Sequence, residues 1–272
     1  MSLRLIRRPK TLPTGSVSSC SRSAIALTWK KVLTIPHHMK EMNNDISETE
    51  FSVNEIFASV NGEGTLSGEL AVFIRLCGCN LRCSYCDTKY AWDFADERIM
   101  TVSEILEKVK SYGSIRNITL TGGEPLYRKN VKILLEALTS HGYLVNIETN
   151  GSINIVPYLD LPFASELIFC CDYKLPSSGE EAKMHLNNIR ALRENDVLKF
   201  VIGSEDDFAK TLEILKTYHP DCHVYLSAVF GKVAPKEIVE KLLSWTETVC
   251  TDKIRVQLQL HKYIWDPNLR GV

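Results

Sequence analysis

From residue 51 onward, short apolar runs alternate with stretches of helical period. Runs at 55–60, 71–76, 117–120, 144–148, 167–171, 198–202, 223–226 and 254–260 have strand length, and most are followed within two residues by Gly, Asn, Asp or Ser. Thr101 and Glu104 have the spacing of a capping box and open a helix that runs to about Tyr112. At 130–140 the residues Val131, Leu134, Leu135 and Leu138 recur on one helical face. Helices are also expected over 181–194, 207–218 and Pro235–Ser244, the last with proline at its first position. Strand–helix alternation of this kind predicts βαβ units and a parallel sheet. The continuous apolar run at 167–171 suits a strand covered on both faces. Fewer than eight of the strands are expected to run parallel, short of a complete barrel. The expected fold is therefore α/β, a partial TIM-like barrel of about six parallel strands. The segment 51–272 shows no repeat and no linker, so it reads as one domain.

The first fifty residues differ. They are basic at Arg4, Arg7, Arg8 and Lys10, rich in Ser, Thr and Pro, and without a sustained apolar period. Two readings stand: a targeting peptide, or an extension preceding a start at Met39 or Met42. Either way residues 1–50 are expected to lack a fold of their own.

Charge narrows the function classes. The 32 basic and 33 acidic residues nearly cancel, which argues against a non-specific nucleic-acid grip. No apolar run is long enough for a membrane span. Nine cysteines are unevenly spread, with Cys77, Cys79, Cys83 and Cys86 crowded together. An odd, clustered set points to a reducing, cytoplasmic setting and a metal or cluster site rather than a disulfide framework.

The polar punctuation follows the strands. The cysteine loop, Thr121–Pro125, Glu148–Gly151, Asp172–Lys174 and Ser227–Phe230 each come just after an apolar run. In α/β sheets and barrels, ligands bind at the carboxyl ends of strands, so these segments describe one site. Within it, Cys79, Cys83 and Cys86 form CxxxCxxC. Three thiolates hold three corners of a 4Fe–4S cube and leave the fourth iron open, whereas electron carriers use four cysteines. Zinc is the rival, but no second CxxC pair follows, and His141, His219, His223 and His261 are isolated. Cys77, Cys170 and Cys171 read as buried strand residues.

Cys79-x-x-x-Cys83-x-Tyr85-Cys86 followed by Thr121-Gly122-Gly123-Glu124-Pro125 resembles the radical S-adenosylmethionine (SAM) superfamily. More narrowly, Glu55-Ile56-Phe57-x-Ser59-Val60-Asn61-Gly62-Glu63-Gly64 and Phe73-Ile74-Arg75-Leu76-x-Gly78-Cys79-Asn80-Leu81 are similar to the 7-carboxy-7-deazaguanine synthase family. The similarity continues through Glu148-Thr149-Asn150-Gly151, Asp172-Tyr173-Lys174 and Gln259-Leu260-His261-Lys262, and so spans 51–272. It implies a 4Fe–4S cluster, SAM and Mg²⁺ as cofactors. The implied reaction is a carbon–nitrogen lyase step in queuosine or deazapurine biosynthesis. It takes 6-carboxy-5,6,7,8-tetrahydropterin to 7-carboxy-7-deazaguanine with loss of ammonia, started by hydrogen abstraction at C6. An electron donor such as flavodoxin or ferredoxin and a homodimer are implied as well. The alternative weighed is another radical SAM enzyme, such as a glycyl-radical activase.

Carried onto these residues, the resemblance makes Cys79, Cys83 and Cys86 the cluster ligands and Thr88 the Mg²⁺ ligand. It assigns SAM to Tyr85, Cys86, Asp87, Gly123, Glu124, Asp172, Tyr173, Lys174, Ser227, Ala228, Val229 and Phe230. It assigns the substrate to Val60, Asn61, Gly62, Glu63, Arg75, Thr121 and the C-terminal Val272. Arg75 also has the right chemistry, because a guanidinium pairs bidentately with a carboxylate. Two departures stand out: Asn61 where many relatives carry Gln, and Asp172-Tyr173 where others carry Ser-Pro.

Overall fold

The structure is a computed structural model and describes residues 46–272. The expectation for residues 1–45 lies outside the described residues, while Glu50 already belongs to the first strand. Strand β1 (Glu50–Val60) pairs antiparallel with β2 (Leu70–Leu76), and the short β3 (Arg98–Thr101) pairs antiparallel on the other side of β1. From β2 the sheet continues in parallel through β4 (Asn117–Gly122), β5 (Leu144–Thr149), β6 (Leu167–Tyr173), β7 (Val197–Ile202), β8 (His223–Ala228) and β9 (Ile254–Val256). The order β3-β1-β2-β4-β5-β6-β7-β8-β9 leaves both ends free, so this is an open, partial barrel.

The crossovers carry α1 (Val102–Lys110), α2 (Val131–Ser140), α3 (Val156–Leu159), α4 (Asn187–Ala191), α5 (Glu205–Tyr218), α6 (Pro235–Ser244) and the terminal turn α7 (His261–Ile264). Local chemistry sets their ends. Thr101 Oγ1 accepts from the Glu104 N–H at 3.2 Å, and Glu104 accepts from the Thr101 N–H at 2.8 Å, closing the capping box of α1. Ser204 accepts from Asp207 N–H at 3.3 Å and starts α5, whose first turn holds Glu205, Asp206 and Asp207 against the helix dipole. Strand β6 is buried along nearly its whole length, with Phe169 and Cys170 fully enclosed, as a strand covered on both faces requires.

Three elements differ from expectation. The helix foreseen over 181–194 is reduced to a single turn at Glu181–Lys183 and the short α4. The side chain of Asn188 there is used elsewhere: it donates to the carbonyls of Gly151 and Ile153 and accepts from Ile155 N–H. β9 stops at Val256 because Gln257 turns its amide to the Gly64 backbone, bonding its N–H at 3.0 Å and its carbonyl at 3.2 Å. The four-residue β3 was too short and too exposed to leave a periodic signal. None of the helices of the described residues is long and apolar enough to cross a membrane.

Candidate active site

A cavity of about 730 Å³ opens at the carboxyl ends of the parallel strands. That is within the usual size of a small-molecule site. One wall is the loop that follows β2. Gly78 turns it with φ +89°, a conformation that favours glycine. Gly78 N–H then bonds the Ala91 carbonyl at 2.8 Å, and Cys79 N–H bonds that of Trp92 at 3.1 Å. Farther on, Arg82 N–H donates to Glu180 at 2.7 Å and Ser84 N–H to the Ser178 carbonyl at 3.0 Å. The loop is thus tied at both ends before any ligand arrives. Cys79, Cys83 and Cys86 all face the cavity and none is in a disulfide.

These thiols suit a cubane cluster. Cys79 Sγ accepts from Leu81 N–H at 3.4 Å and from the Asn150 amide at 3.7 Å, which are contacts that favour a thiolate ligand. Burial meanwhile pushes the Cys79 thiol up and the Cys83 thiol up to about 11. Iron binding must therefore displace protons from both. Among the described residues no three His, Cys, Asp or Glu side chains gather around one ion position. A single zinc would require that; a cube does not, since each cysteine takes a different iron.

The Gly122-Gly123 pair serves the loop as much as any ligand. A Cβ on Gly122 would lie 2.3 Å from the Leu76 carbonyl oxygen, and one on Gly123 would lie 2.4 Å from that of Gly78. Gly123 N–H bonds Leu76 O at 3.0 Å, and Glu124 N–H bonds Gly78 O at 2.9 Å. The end of β4 is thereby laid directly on the cysteine loop. Glu124 is one of the expected SAM contacts. It is fully buried and absent from the cavity wall. Its oxygens accept from Leu126 N–H at 3.0 Å, the Thr149 hydroxyl at 2.8 Å and Asn150 N–H at 2.6 Å. Burial raises it to about 7 despite these bonds. It locks the ends of β4 and β5 together and so aims Asn150 at Cys79.

The opposite wall is ionic. Lys199 on β7, almost fully buried, lies 3.1 Å from Glu148, 3.4 Å from Asp172 and 3.6 Å from Glu63. Asp172 also pairs with Lys174. Burial pushes Asp172 up, but Lys174 and Lys199 outweigh it and hold the carboxyl below its usual range. Glu63 Oε1 and Asn61 Nδ2 are buried without a hydrogen-bond partner among the described residues. Asn61 Oδ1 accepts from the Thr119 hydroxyl at 2.6 Å, which fixes the amide. An unpaired acceptor and an unpaired donor on one loop are what a ligand bearing both kinds of group needs. His261 packs on Gly62, so closely that a Cβ there would be 2.3 Å from Nδ1.

Beside this wall, Arg75 donates to Glu55 at 2.7 Å, and Tyr90 donates to the same oxygen at 3.3 Å. Arg270 stacks 3.7 Å from the Tyr90 ring centre. Thr121, opposite Arg75 in the parallel register, also faces the cavity, as do Val60 and Val272. Thr88 donates to Asp87 at 2.9 Å, and Asp87 pairs with Lys262 at 2.7 Å. Tyr85, Val229 and Phe230 complete the wall near β7 and β8.

Three further expected SAM contacts do not line this cavity. Tyr173, alternating with Asp172, turns to the core and packs on Phe200 with centroids 5.8 Å apart. Ser227 is fully buried, and Ala228 borders a smaller pocket behind Phe230. Several lining residues were not singled out as ligand contacts: Glu148, Asn150, Lys199, His261 and Arg270. Lys199 had a signal, as a lone charge inside the apolar run 197–202. Such a charge is buried only when paired.

Residues 73–160 match the Radical SAM superfamily model. The 7-carboxy-7-deazaguanine synthase of Clostridium acetobutylicum is 42% identical over 226 residues, covering 82% of this chain and 99% of that protein. The chain belongs to the 7-carboxy-7-deazaguanine synthase family. The family member from Leptospira interrogans is 33% identical, over 81% of this chain and 98% of its own. That from Methanospirillum hungatei is 37% identical, over 79% and 86%. The crystal structure of QueE from Escherichia coli shares the fold, with a TM-score of 0.61 at 21% identity over 79% of this chain and 97% of that one. Membership in this radical SAM lyase family brings with it a 4Fe–4S cluster and SAM.

Proposed function

We propose that this chain is a lyase that converts 6-carboxy-5,6,7,8-tetrahydropterin to 7-carboxy-7-deazaguanine with loss of ammonia. The observation that carries the proposal is the pairing of family membership with one cavity that has three free cysteines on one wall and the unpaired Glu63 Oε1 and Asn61 Nδ2 on another. Cys79, Cys83 and Cys86 would hold the cluster. Tyr85, Cys86, Asp87, Gly123, Asp172, Lys174, Val229 and Phe230 would surround SAM. When bound, the reduced cluster and SAM supply the radical that removes hydrogen from the substrate.

The chain's own residues orient the pterin. Glu63 would accept from its amide and amino N–H groups, and Asn61 would donate to its carbonyl. Arg75 would pair with its carboxylate, sharing its guanidinium with Glu55. Lys199 pairs with Glu63, Glu148 and Asp172 and so fixes the three carboxylates beside the ligand space. Thr121 and Val272 would close on the ring. Mg²⁺ would sit at Thr88. One hydroxyl is a poor Mg²⁺ site by itself, so the ion would take further oxygens from substrate and water. Residues 51–272 would act as one domain within a homodimer in a reducing, cytoplasmic setting.

The experiment is anaerobic reconstitution of the protein with iron and sulfide, then incubation with reductant, SAM, Mg²⁺ and the pterin. A product with the mass of 7-carboxy-7-deazaguanine is expected. SAM cleavage without that product would sink the proposal.

A further inference from the structure

We propose that Asn150 sets the reduction potential of the cluster through its bond to Cys79 Sγ. The inference rests on Cys79 as a cluster ligand, and it concerns how readily the cluster takes up its electron.

Asn150 follows the end of β5 and is buried beside the cysteine loop. Its backbone N–H donates to Glu124 at 2.6 Å. Its side-chain Oδ1 accepts twice from Ser152, from the backbone N–H at 2.9 Å and from the hydroxyl at 2.6 Å. A backbone N–H can only donate, so Ser152 fixes which end of the Asn150 amide is oxygen. The amino end is therefore the one turned to the cysteine loop. Nδ2 donates to Asn80 Oδ1 at 3.1 Å and to Cys79 Sγ at 3.7 Å. Asn80 donates in turn to the Ser152 hydroxyl at 2.8 Å. The three side chains close a ring that holds the amide in place before any cluster is bound.

A clamp between β5 and the loop needs only the bond to Asn80. The second N–H is aimed at sulfur, and it gains most when that sulfur carries the charge of an iron-bound thiolate. Cys79 Sγ also accepts from Leu81 N–H at 3.4 Å. Among the described residues Asn150 is the side chain that donates to a cluster cysteine, and no hydrogen bond reaches the Sγ of Cys83 or Cys86. Reduction adds one electron to the cluster, so an N–H dipole pointed at a ligand sulfur favours the reduced form and raises the potential. Burial strengthens this, because little water screens the dipole. No bond or proton at Asn150 changes when the electron arrives.

The test uses the reconstituted full chain without SAM or substrate, titrated with dithionite through redox mediators and followed by electron paramagnetic resonance. Asn150→Leu keeps the bulk and removes the N–H groups. It is expected to disfavour reduction about tenfold, a shift of about 59 mV to lower potential for one electron. Asn80→Ala removes the clamp and spares the bond to sulfur, so its reduction equilibrium is expected to stay within about twofold of the unchanged protein. Ser152→Ala frees the amide while leaving Asn150 in place, and is expected to lower the potential by less than Asn150→Leu does. An unchanged potential in Asn150→Leu, or an equal shift in Asn80→Ala, would overturn the proposal. If Asn150→Leu holds no cluster, Ser152→Ala decides: a potential equal to that of the unchanged protein overturns the proposal. An unchanged protein that takes up no 4Fe–4S cluster would overturn this proposal and the function together. The expected shifts in a protein that makes no 7-carboxy-7-deazaguanine would sink the function alone and leave the role of Asn150 standing.

Discussion

Gly123 and Gly78 meet backbone to backbone: a Cβ on Gly123 would lie 2.4 Å from the Gly78 carbonyl oxygen and 2.7 Å from that of Ala91. Both carbonyls belong to the cysteine loop, and neither can yield without moving it. Gly123→Ala is therefore expected to destabilise the fold by about 1–3 kcal/mol, as overpacking does, and to lower the iron bound per chain. Gly179→Ala is the control, because its φ is +76° but nothing lies within 4 Å. It is expected to show only the backbone strain, about 1 kcal/mol, with full iron content. Urea unfolding and iron analysis of the two variants check this. Equal iron content in both would show that the contact does not set the loop.

Lys199 holds three carboxylates together, so Lys199→Met leaves Glu63, Glu148 and Asp172 facing one another with only Lys174 nearby. Breaking such a buried cluster on one side costs about 3–5 kcal/mol. The loss should be largest at neutral pH and shrink as the pH falls, because protonation removes the repulsion that Lys199 relieved. Urea unfolding of both proteins at pH 7.5 and 5 tests this. A gap that does not narrow at the lower pH would show that packing, not charge, is what the variant removes.

Much of the fold was legible because the strands of a parallel sheet, buried on both faces, leave continuous apolar runs. β6 is the clearest case, and the capping box at Thr101 and Pro235 marked helix starts that the structure reproduces. The cysteines and the strand-end motifs were legible as spacing. What sequence could not give is direction. Glu124 stands in a ligand-like motif yet turns inward to bind backbone, and Tyr173 alternates away from Asp172. Conversely, Lys199, Arg270 and His261 are far from the cysteine motif in the chain, and only strand register and the return of the tail bring them to the cavity. The Glu181 region failed for a similar reason, since a single Asn188 amide tied to a distant loop outweighs local helix preference.

Glu124 gives a pH signature. Its folded value of about 7 is above the ordinary 4.5, with burial as the main cause. The folded state therefore holds this proton more tightly than the unfolded chain does. Stability from this group is fully present below about pH 4.5 and is lost as the pH rises through 7. The full effect is about 3 kcal/mol for a shift of this size. Glu124→Gln cannot titrate, so its stability should lack this decline whatever its absolute level. Urea unfolding from pH 5 to 8 compares the slopes. Parallel slopes would mean that Glu124 keeps an ordinary value in the fold.

Thr88 offers the most direct check on the metal. Its hydroxyl gives its proton to Asp87 at 2.9 Å, and Lys262 holds Asp87 in place from 2.7 Å. With the proton so directed, the lone pairs of Oγ1 are left to accept a cation. A single neutral oxygen binds Mg²⁺ weakly, because the ion prefers about six oxygens and surrenders water reluctantly. The affinity should then depend on the substrate supplying the rest. Calorimetry is expected to show little Mg²⁺ binding to the protein with SAM alone and clear binding once the pterin is added. Thr88→Ala should raise the Mg²⁺ needed for half-maximal turnover by about tenfold, roughly the 1.4 kcal/mol of one lost contact. Cleavage of SAM in the absence of pterin should be unaffected in that variant, because the cysteines and the strand-end contacts around them are untouched. If Mg²⁺ binds equally well with and without the pterin, or if Thr88→Ala leaves the Mg²⁺ requirement where it was, the ion is held by other oxygens and Thr88 is a loop residue whose role ends at Asp87.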